Sequence, residues 1–173
     1  VRYGNVMGSR GSVIPFFIKL HDQGAKELPI TDMRMTRFNI SLQEGVDLVM
    51  WALGHHLGGE LFIPKIPSYR ITDVAKAIAP NLPLKEIGIR PGEKLHEEMI
   101  TPTDSLSTID IGKYYAILPS VSDRYTTEDF LKHHNAKMVP QGFYFASDNN
   151  EDWDTVETLR EKFAKVIPGF EVK

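Results

Sequence analysis

The chain has 173 residues, 20 basic and 23 acidic, for a net charge of −3, so it lacks the basic excess of a nucleic-acid binder. It contains no cysteine, which excludes disulfides, thiolate metal sites and cysteine nucleophiles. No apolar run approaches the ~18 residues of a membrane-spanning helix, and a content of 42% apolar and 25% charged residues is that of an ordinary globular protein.

The opening residues, Val1-Arg2-Tyr3-Gly4-Asn5, have no signal-peptide architecture. They read as mid-domain sequence, the start of a fragment or of a gene that begins inside a larger fold. Residues 1–7 are β-prone and run into the loop Gly8-Ser9-Arg10-Gly11-Ser12. A helix follows over residues 13–23, with Pro15 tolerated in its first turn and Gly24 as its stop. Residues 27–30 and 35–40 are short strands around Thr31-Asp32. Ser41 and Glu44 have capping-box spacing, and Val46, Val49, Met50 and Leu53 recur at helical spacing until Gly54 or Gly58-Gly59 ends the element. A strand over 61–63 is closed by Pro64 and Pro67. Thr72-Asp73 opens a helix that Pro80 ends, and residues 84–89 return as a strand. This β-α-β-β-α-β-α-β order predicts an α/β fold. Beyond Arg90 the pattern loosens to a strand over 114–118 and helices over 127–134 and 155–166. The 13 glycines and 11 prolines are spread evenly, without a linker or repeat, so residues 1–173 read as a single unit.

Two segments could hold a ligand. A polar strand end at Asn5, a small-residue loop and a helix N-terminus together make a phosphate site, because free N–H groups and the helix dipole favour an anion. Arg10 would add a charge-assisted donor. The same residues also fit an ordinary strand-to-helix loop with a surface arginine. The second segment, Arg90-Pro91-Gly92-Glu93-Lys94, follows a strand at the edge where ligands bind in open α/β sheets. There Arg90 could grip phosphate oxygens and Glu93 could accept two ribose hydroxyls; a β-turn with three solvated charges fits equally well. Arg34 and Arg37 differ by an odd number, so in a regular strand they face opposite sides.

Other patterns carry no chemistry. Gly4, Gly8 and Gly11 do not fit G-x-G-x-x-G, and no Walker A sequence exists. His96-Glu97-Glu98 lacks the second histidine of a zinc-protease motif. His55-His56 and His133-His134 are adjacent pairs that cannot face one ligand from a regular helix, so no metal is expected. Asp148 to Asp154 lacks the glycine and terminal glutamate of an EF-hand loop. Trp153 reads as a core anchor rather than a stacking platform.

Four ordered stretches resemble a known family. They are Arg2-Tyr3-Gly4-Asn5 through Pro15-Phe16-Phe17; Pro29-Ile30-Thr31-Asp32 with Thr36-Arg37-Phe38; Ile63-Pro64-Lys65-Ile66-Pro67-Ser68 with Ile71-Thr72-Asp73; and Ile87-Gly88-Ile89-Arg90-Pro91-Gly92-Glu93-Lys94-Leu95-His96-Glu97-Glu98-Met99. Together they are similar to the extended short-chain dehydrogenase/reductases. More narrowly, they resemble the inverting UDP-N-acetylglucosamine 4,6-dehydratases of polysaccharide biosynthesis, which make pseudaminic acid and capsule precursors.

The resemblance implies the C-terminal, substrate-binding part of an extended Rossmann-type fold, without the G-x-G-x-x-G half. By that likeness Asn5 bonds the diphosphate side of a UDP-sugar, and Ser9, Arg10, Gly11, Ser12 and Val13 pack around the nucleotide sugar. Leu28 and Pro29 lie along the uracil, Arg37 and Arg90 hold the diphosphate, and Glu93 takes the ribose hydroxyls. The full-length family uses NADP, but its Gly-rich loop, Tyr-x-x-x-Lys pair and acid/base residues precede the Arg2-Tyr3-Gly4-Asn5 segment. Tyr3 has Met7 four residues on, so it cannot stand in. No catalytic residue and no NADP site are therefore expected on this chain, which would be inactive alone and bind a UDP-sugar weakly. A strand at Val1 without its sheet neighbours would expose an unpaired edge and an apolar face, so a homo-oligomer is expected. The charge balance and the lack of a long apolar run predict neither nucleic acid nor membrane as partner, and the expected location is cytoplasmic. A standalone oligomerising or binding module, or a related nucleotide-sugar epimerase, are the other readings.

Overall fold

A computed structural model describes residues 1–170. In chain order the elements are β1 (Asn5–Val6), α1 (Val13–Asp22), β2 (Leu28–Ile30), β3 (Thr36–Ile40), α2 (Leu42–His55), β4 (Leu61–Pro64), β5 (Ser68–Arg70), α3 (Ile71–Ile78), β6 (Leu84–Glu86), β7 (Glu98–Ile100), a 3₁₀ turn (Asp104–Ser107), β8 (Thr108–Asp110), β9 (Tyr114–Ile117), α4 (Thr127–His134), β10 (Lys137–Met138), β11 (Phe145–Ala146) and α5 (Val156–Val166). The chain is mixed α/β, with parallel pairs β1–β3 and β2–β6 and antiparallel pairs elsewhere. No helix among the described residues is long and apolar enough to cross a membrane.

The sequence reads as a single unit, whereas the chain divides into two compact ones. Among the described residues, one gathers 1–3, 42–66 and 98–146, the other 4–41, 67–97 and 147–170. Because the segments interleave along the chain, no linker composition marks the division.

The second unit carries the candidate site. Its three-stranded sheet runs β1-β3-β5, and β2 and β6 form a separate parallel pair. Helix α1 buries Ile14 and Phe17, α3 buries Val74, Ala75 and Ile78, and α5 buries Leu159 and Phe163. With Leu28 and Ile30 these side chains form one core cluster. Each large side chain so buried contributes roughly 1.5–3 kcal/mol. Helix α5 starts at a capping box in which Thr155 and Thr158 exchange side-chain-to-backbone bonds, satisfying two otherwise orphaned N–H groups.

The first unit is a four-stranded antiparallel sheet, β10-β8-β9-β4, with the β7–β11 pair beside it in sequence. Leu48 of α2, Phe130 of α4 and the sheet residues Phe62, Ile109, Tyr114 and Ala116 make its core. Helix α4 spans residues 127–134 as the sequence predicts. Thr126 and Asp129 form its capping box, and Asn135 closes it at φ 50°, a left-handed cap that asparagine tolerates.

Several boundaries differ from the sequence reading. The first strand pairs only at Asn5 and Val6, and α2 runs through Gly54 to His55. The strand expected over 84–89 stops at Glu86 after pairing with Ile30. Gly88 at φ 89° and Gly92 at φ 86° turn the backbone out of extended geometry there. Helix α3 begins at Ile71 rather than Thr72, and the β5 strand before it was not expected.

Candidate functional site

A cavity of about 600 Å³ opens in the second unit, within the size range of small-molecule sites. Its walls come from the end of β1, the first turns of α1, Pro29 to Thr31, the middle of β3, and the segment after β6. Of the residues singled out from sequence, Asn5, Gly11, Ser12, Val13, Pro29, Arg37, Arg90 and Glu93 all line it. Two stretches some eighty residues apart thus meet around one hollow. Ser9, Arg10 and Leu28 are not among the lining residues. Leu28 is 0% exposed within the core cluster, so it has no surface to lay along a base. Arg10 is exposed.

The α1 end of the cavity matches the anion-site expectation in its local geometry. Ser12 caps the helix with φ −78° and ψ 169° but makes no side-chain cap bond, and the first turn holds no acidic residue. The positive end of the dipole is therefore not neutralised by the helix itself. The turn places its glycines at Gly8 (φ 69°) and Gly11 (φ 80°) and continues into the apolar Val13-Ile14-Pro15-Phe16-Phe17. That arrangement does not fit the pyrophosphate turn of a dinucleotide fold. That turn therefore does not supply the pyrophosphate cradle that NADP needs.

Across the cavity, Arg90-Pro91-Gly92-Glu93 folds as a tight turn. Glu93 N donates to Arg90 O at 3.0 Å, and Arg90 N donates to Glu93 Oε2 at 3.1 Å. Proline second and a positive-φ glycine third is the type II pattern. The turn leaves the Arg90 guanidinium without a hydrogen-bond or ion-pair partner among the described residues and the second carboxylate oxygen of Glu93 open.

Arg37 is held differently. Its side chain is 13% exposed. Nη1 donates to Thr36 O at 2.7 Å and Leu95 O at 3.0 Å, and Nη2 donates to Lys94 O at 2.9 Å. Nε lies 3.4 Å from Glu97 Oε1. Arg37 therefore anchors the segment that carries the Arg90–Glu93 turn as well as lining the cavity. The same segment is tied by Thr36, whose hydroxyl shares hydrogen bonds with His96 Nδ1 and Ser147 Oγ, both at 2.7 Å, while Ser147 Oγ accepts from Glu97 N at 2.9 Å. Sequence reasoning missed Thr36, Ser147, Met35, Tyr69 and Asn39. Only Asn39 carried a legible signal, lying two residues from Arg37 on the same strand face. Tyr69 is buried, and burial raises its phenol far above the usual range, so it stays a neutral hydroxyl.

Arg34 lies before β3, not within it, and does not line the cavity. It forms a fork on Asp32, with Nε to Oδ1 at 3.0 Å and Nη2 to Oδ2 at 2.8 Å. This side-chain bond, with Arg34 N donating to the same carboxylate, holds Asp32 down at about 2. A depressed carboxylate stabilises the fold above its unfolded value of roughly 3.9 and loses that contribution as pH falls through the folded value. An acid titration followed by circular dichroism should therefore show Arg34→Ala unfolding at higher pH than the parent chain. Coincident curves between pH 4 and 2 would refute the linkage.

The histidine pairs serve the first unit. His133 Nε2 lies 2.9 Å from His55 O, and His134 Nε2 lies 3.1 Å from Glu60 Oε1. Burial pushes the Glu60 carboxyl up, but the backbone N–H groups of Leu57, Glu60 and Gly58 and the His134 ring outweigh it and hold it low. No group of three or more His, Asp or Glu among the described residues has metal-binding geometry. Trp153 is half-buried, with Arg70 over its ring at 4.5 Å and its Nε1 donating to Asn150 O at 2.6 Å.

Residues 1–119 match the family model described as polysaccharide biosynthesis protein. The chain belongs to that family. A UDP-N-acetylglucosamine 4,6-dehydratase (inverting) from Campylobacter jejuni subsp. jejuni serotype O:2 is 55% identical over 163 residues, covering 92% of this chain and 49% of that relative. A UDP-glucose 4-epimerase from Rickettsia akari is 47% identical over 120 residues, 67% of this chain and 35% of the relative. The X-ray structure of Pen from Bacillus thuringiensis superposes with a TM-score of 0.77 at 32% identity, covering 95% of this chain and 48% of that one. The chain thus spans about half the length of the dehydratase it matches. The fold is a partial Rossmann-type domain, as the sequence predicts, within a nucleotide-sugar enzyme family.

Proposed function

We propose that this chain is the nucleotide-sugar-binding, C-terminal part of an NADP-dependent inverting UDP-N-acetylglucosamine 4,6-dehydratase. The observation that carries the reading is the gathering of Asn5, the α1 N-terminus, Arg37, Arg90 and Glu93 around one cavity. The chemistry divides by end. Arg90, whose guanidinium is unpaired among the described residues, offers a cationic fork to a pyrophosphate. Arg37 adds positive charge and the Nη2 hydrogen that Lys94 does not take, the α1 N-terminus adds N–H donors, and Glu93 accepts from ribose hydroxyls. Pro29 gives a flat apolar surface for a base. The identity to the Campylobacter dehydratase over 92% of the chain, against 67% for the Rickettsia epimerase, favours the dehydratase over the epimerase.

In this reading the chain binds and orients substrate but does not turn it over. It carries neither a Tyr-x-x-x-Lys pair nor a Gly-rich NADP loop. The hydride chemistry belongs to NADP, and the cavity residues of this chain contribute only the grip on the nucleotide. Titration calorimetry should show weak binding of UDP-N-acetylglucosamine and weaker binding of dTDP-glucose, and a 4,6-dehydratase assay with NADP should show no turnover. Sustained turnover, or preference for the thymidine sugar, would contradict the proposal.

A further inference from the structure

Among the described residues, two buried side-chain polar atoms have no hydrogen-bond partner, Ser12 Oγ and Asn39 Oδ1. Both residues line the same cavity. Buried polar atoms are paired as a rule, so two orphans on residues lining one cavity point to a ligand there.

Asn39 is 3% exposed, and its orientation is fixed from behind. Its Nδ2 donates to Asp154 Oδ2 at 2.7 Å. Asp154 is 5% exposed, and its other oxygen accepts from Lys162 Nζ at 2.6 Å and Thr158 Oγ1 at 3.1 Å. An ionised carboxylate can only accept, so the amide of Asn39 cannot flip without losing its bond. Oδ1 is thereby the atom left for a partner, and it too can only accept.

This acceptor distinguishes the parts of a nucleotide sugar. A pyrophosphate oxygen at neutral pH also only accepts and would leave Oδ1 unsatisfied, whereas a sugar hydroxyl or an acetamido N–H donates. Ser12 Oγ can donate or accept. On β3, Asn39 follows Arg37 by two residues on the same face, roughly 7 Å along the strand, and pairs in register with Asn5 of β1. The strand therefore offers a cation and then an acceptor at the spacing of a phosphate followed by a sugar ring.

We propose that Asn39 is a specificity-determining residue that accepts a hydrogen bond from the glycosyl part of the ligand, with Asp154 and Lys162 as positioning residues behind it. The proposal rests on the reading of this cavity as a nucleotide-sugar site. Ligand-observed NMR titrations with UDP and with UDP-N-acetylglucosamine, on the whole 173-residue chain, test it. The parent chain should bind the sugar nucleotide more tightly than UDP. Asn39→Leu should cut that advantage about fivefold, the worth of one neutral hydrogen bond, and leave UDP affinity unchanged. Asp154→Asn, which keeps a bond to Asn39 but removes the orientation, should cut it by less, and it decides the matter if Asn39→Leu does not fold. An undiminished advantage in the folded variants, or a parent chain that binds both ligands equally, overturns the role of Asn39. Binding of neither ligand overturns the nucleotide-sugar reading itself.

Discussion

Replacing Arg37 by alanine should abolish detectable UDP-N-acetylglucosamine binding and also lower the chain's stability by about 2–3 kcal/mol. The two losses have separate causes. Binding falls because a positive charge and the one Nη2 hydrogen not taken by Lys94 are withdrawn from the cavity wall, and charge-assisted bonds are roughly twice as strong as neutral ones. Stability falls because the carbonyls of Lys94 and Leu95 lose their guanidinium donors and Glu97 loses its ion-pair partner. Arg37→Lys separates the effects. A lysine keeps the charge but not the planar fork, so it should retain part of the binding while loosening the 94–97 segment. Hydrogen exchange without ligand reads this directly, with faster exchange at residues 93–97 in both variants. Exchange unchanged in Arg37→Ala would show that the carbonyl clamp does not hold the segment.

Gly4→Ala should destabilise the chain by about 3 kcal/mol, at the upper end for an overpacked site, and lower the melting temperature by roughly 10 °C. A Cβ on Gly4 would overlap Phe38 Cβ and press on its backbone carbon and oxygen at 3.2 Å. Phe38 is 0% exposed and lies on β3 beside the residues that pair with β1, so neither side can move freely. Gly11→Ala is the contrasting variant. Its added methyl meets nothing within 4 Å, but its φ is +80°, so it should cost only the ~1–2 kcal/mol of a left-handed alanine. Thermal melts that rank Gly11→Ala as the more damaging would refute the packing argument at Gly4.

These two glycines show what could be read in advance. The conformational need at Gly11 is local, and the loop-to-helix pattern around it was legible. The constraint at Gly4 comes from a phenylalanine thirty-four positions away on β3, which no local pattern reveals. The same division runs through the site. Asn5, Ser12, Arg90 and Glu93 stood at the ends of recognisable elements, where chemistry and spacing coincide. Leu28 was drawn into the site by family likeness alone, although an apolar residue in a strand of three is more readily core. The choice of Arg37 over Arg34 agrees with the strand-face argument only in part, because Arg34 precedes the strand and is claimed by Asp32. Asn39 and the Asp154–Lys162 pair behind it span 115 positions from Asn39 to Asp154, and nothing short of the folded chain brings them together. The short strands β7, β8, β10 and β11 were missed for a similar reason. Two- and three-residue strands hold too few side chains for alternation to register.

The central proposal is one cavity that holds a nucleotide sugar by residues from two distant stretches of chain. A ¹⁵N–¹H shift map of the chain titrated with UDP-N-acetylglucosamine tests it most directly. Saturable shifts concentrated at residues 5, 11–13, 37–39 and 90–93, with the first unit's residues 108–134 unmoved, are the result expected. An unmoved second unit at millimolar ligand, or shifts that gather instead around α4, would contradict it.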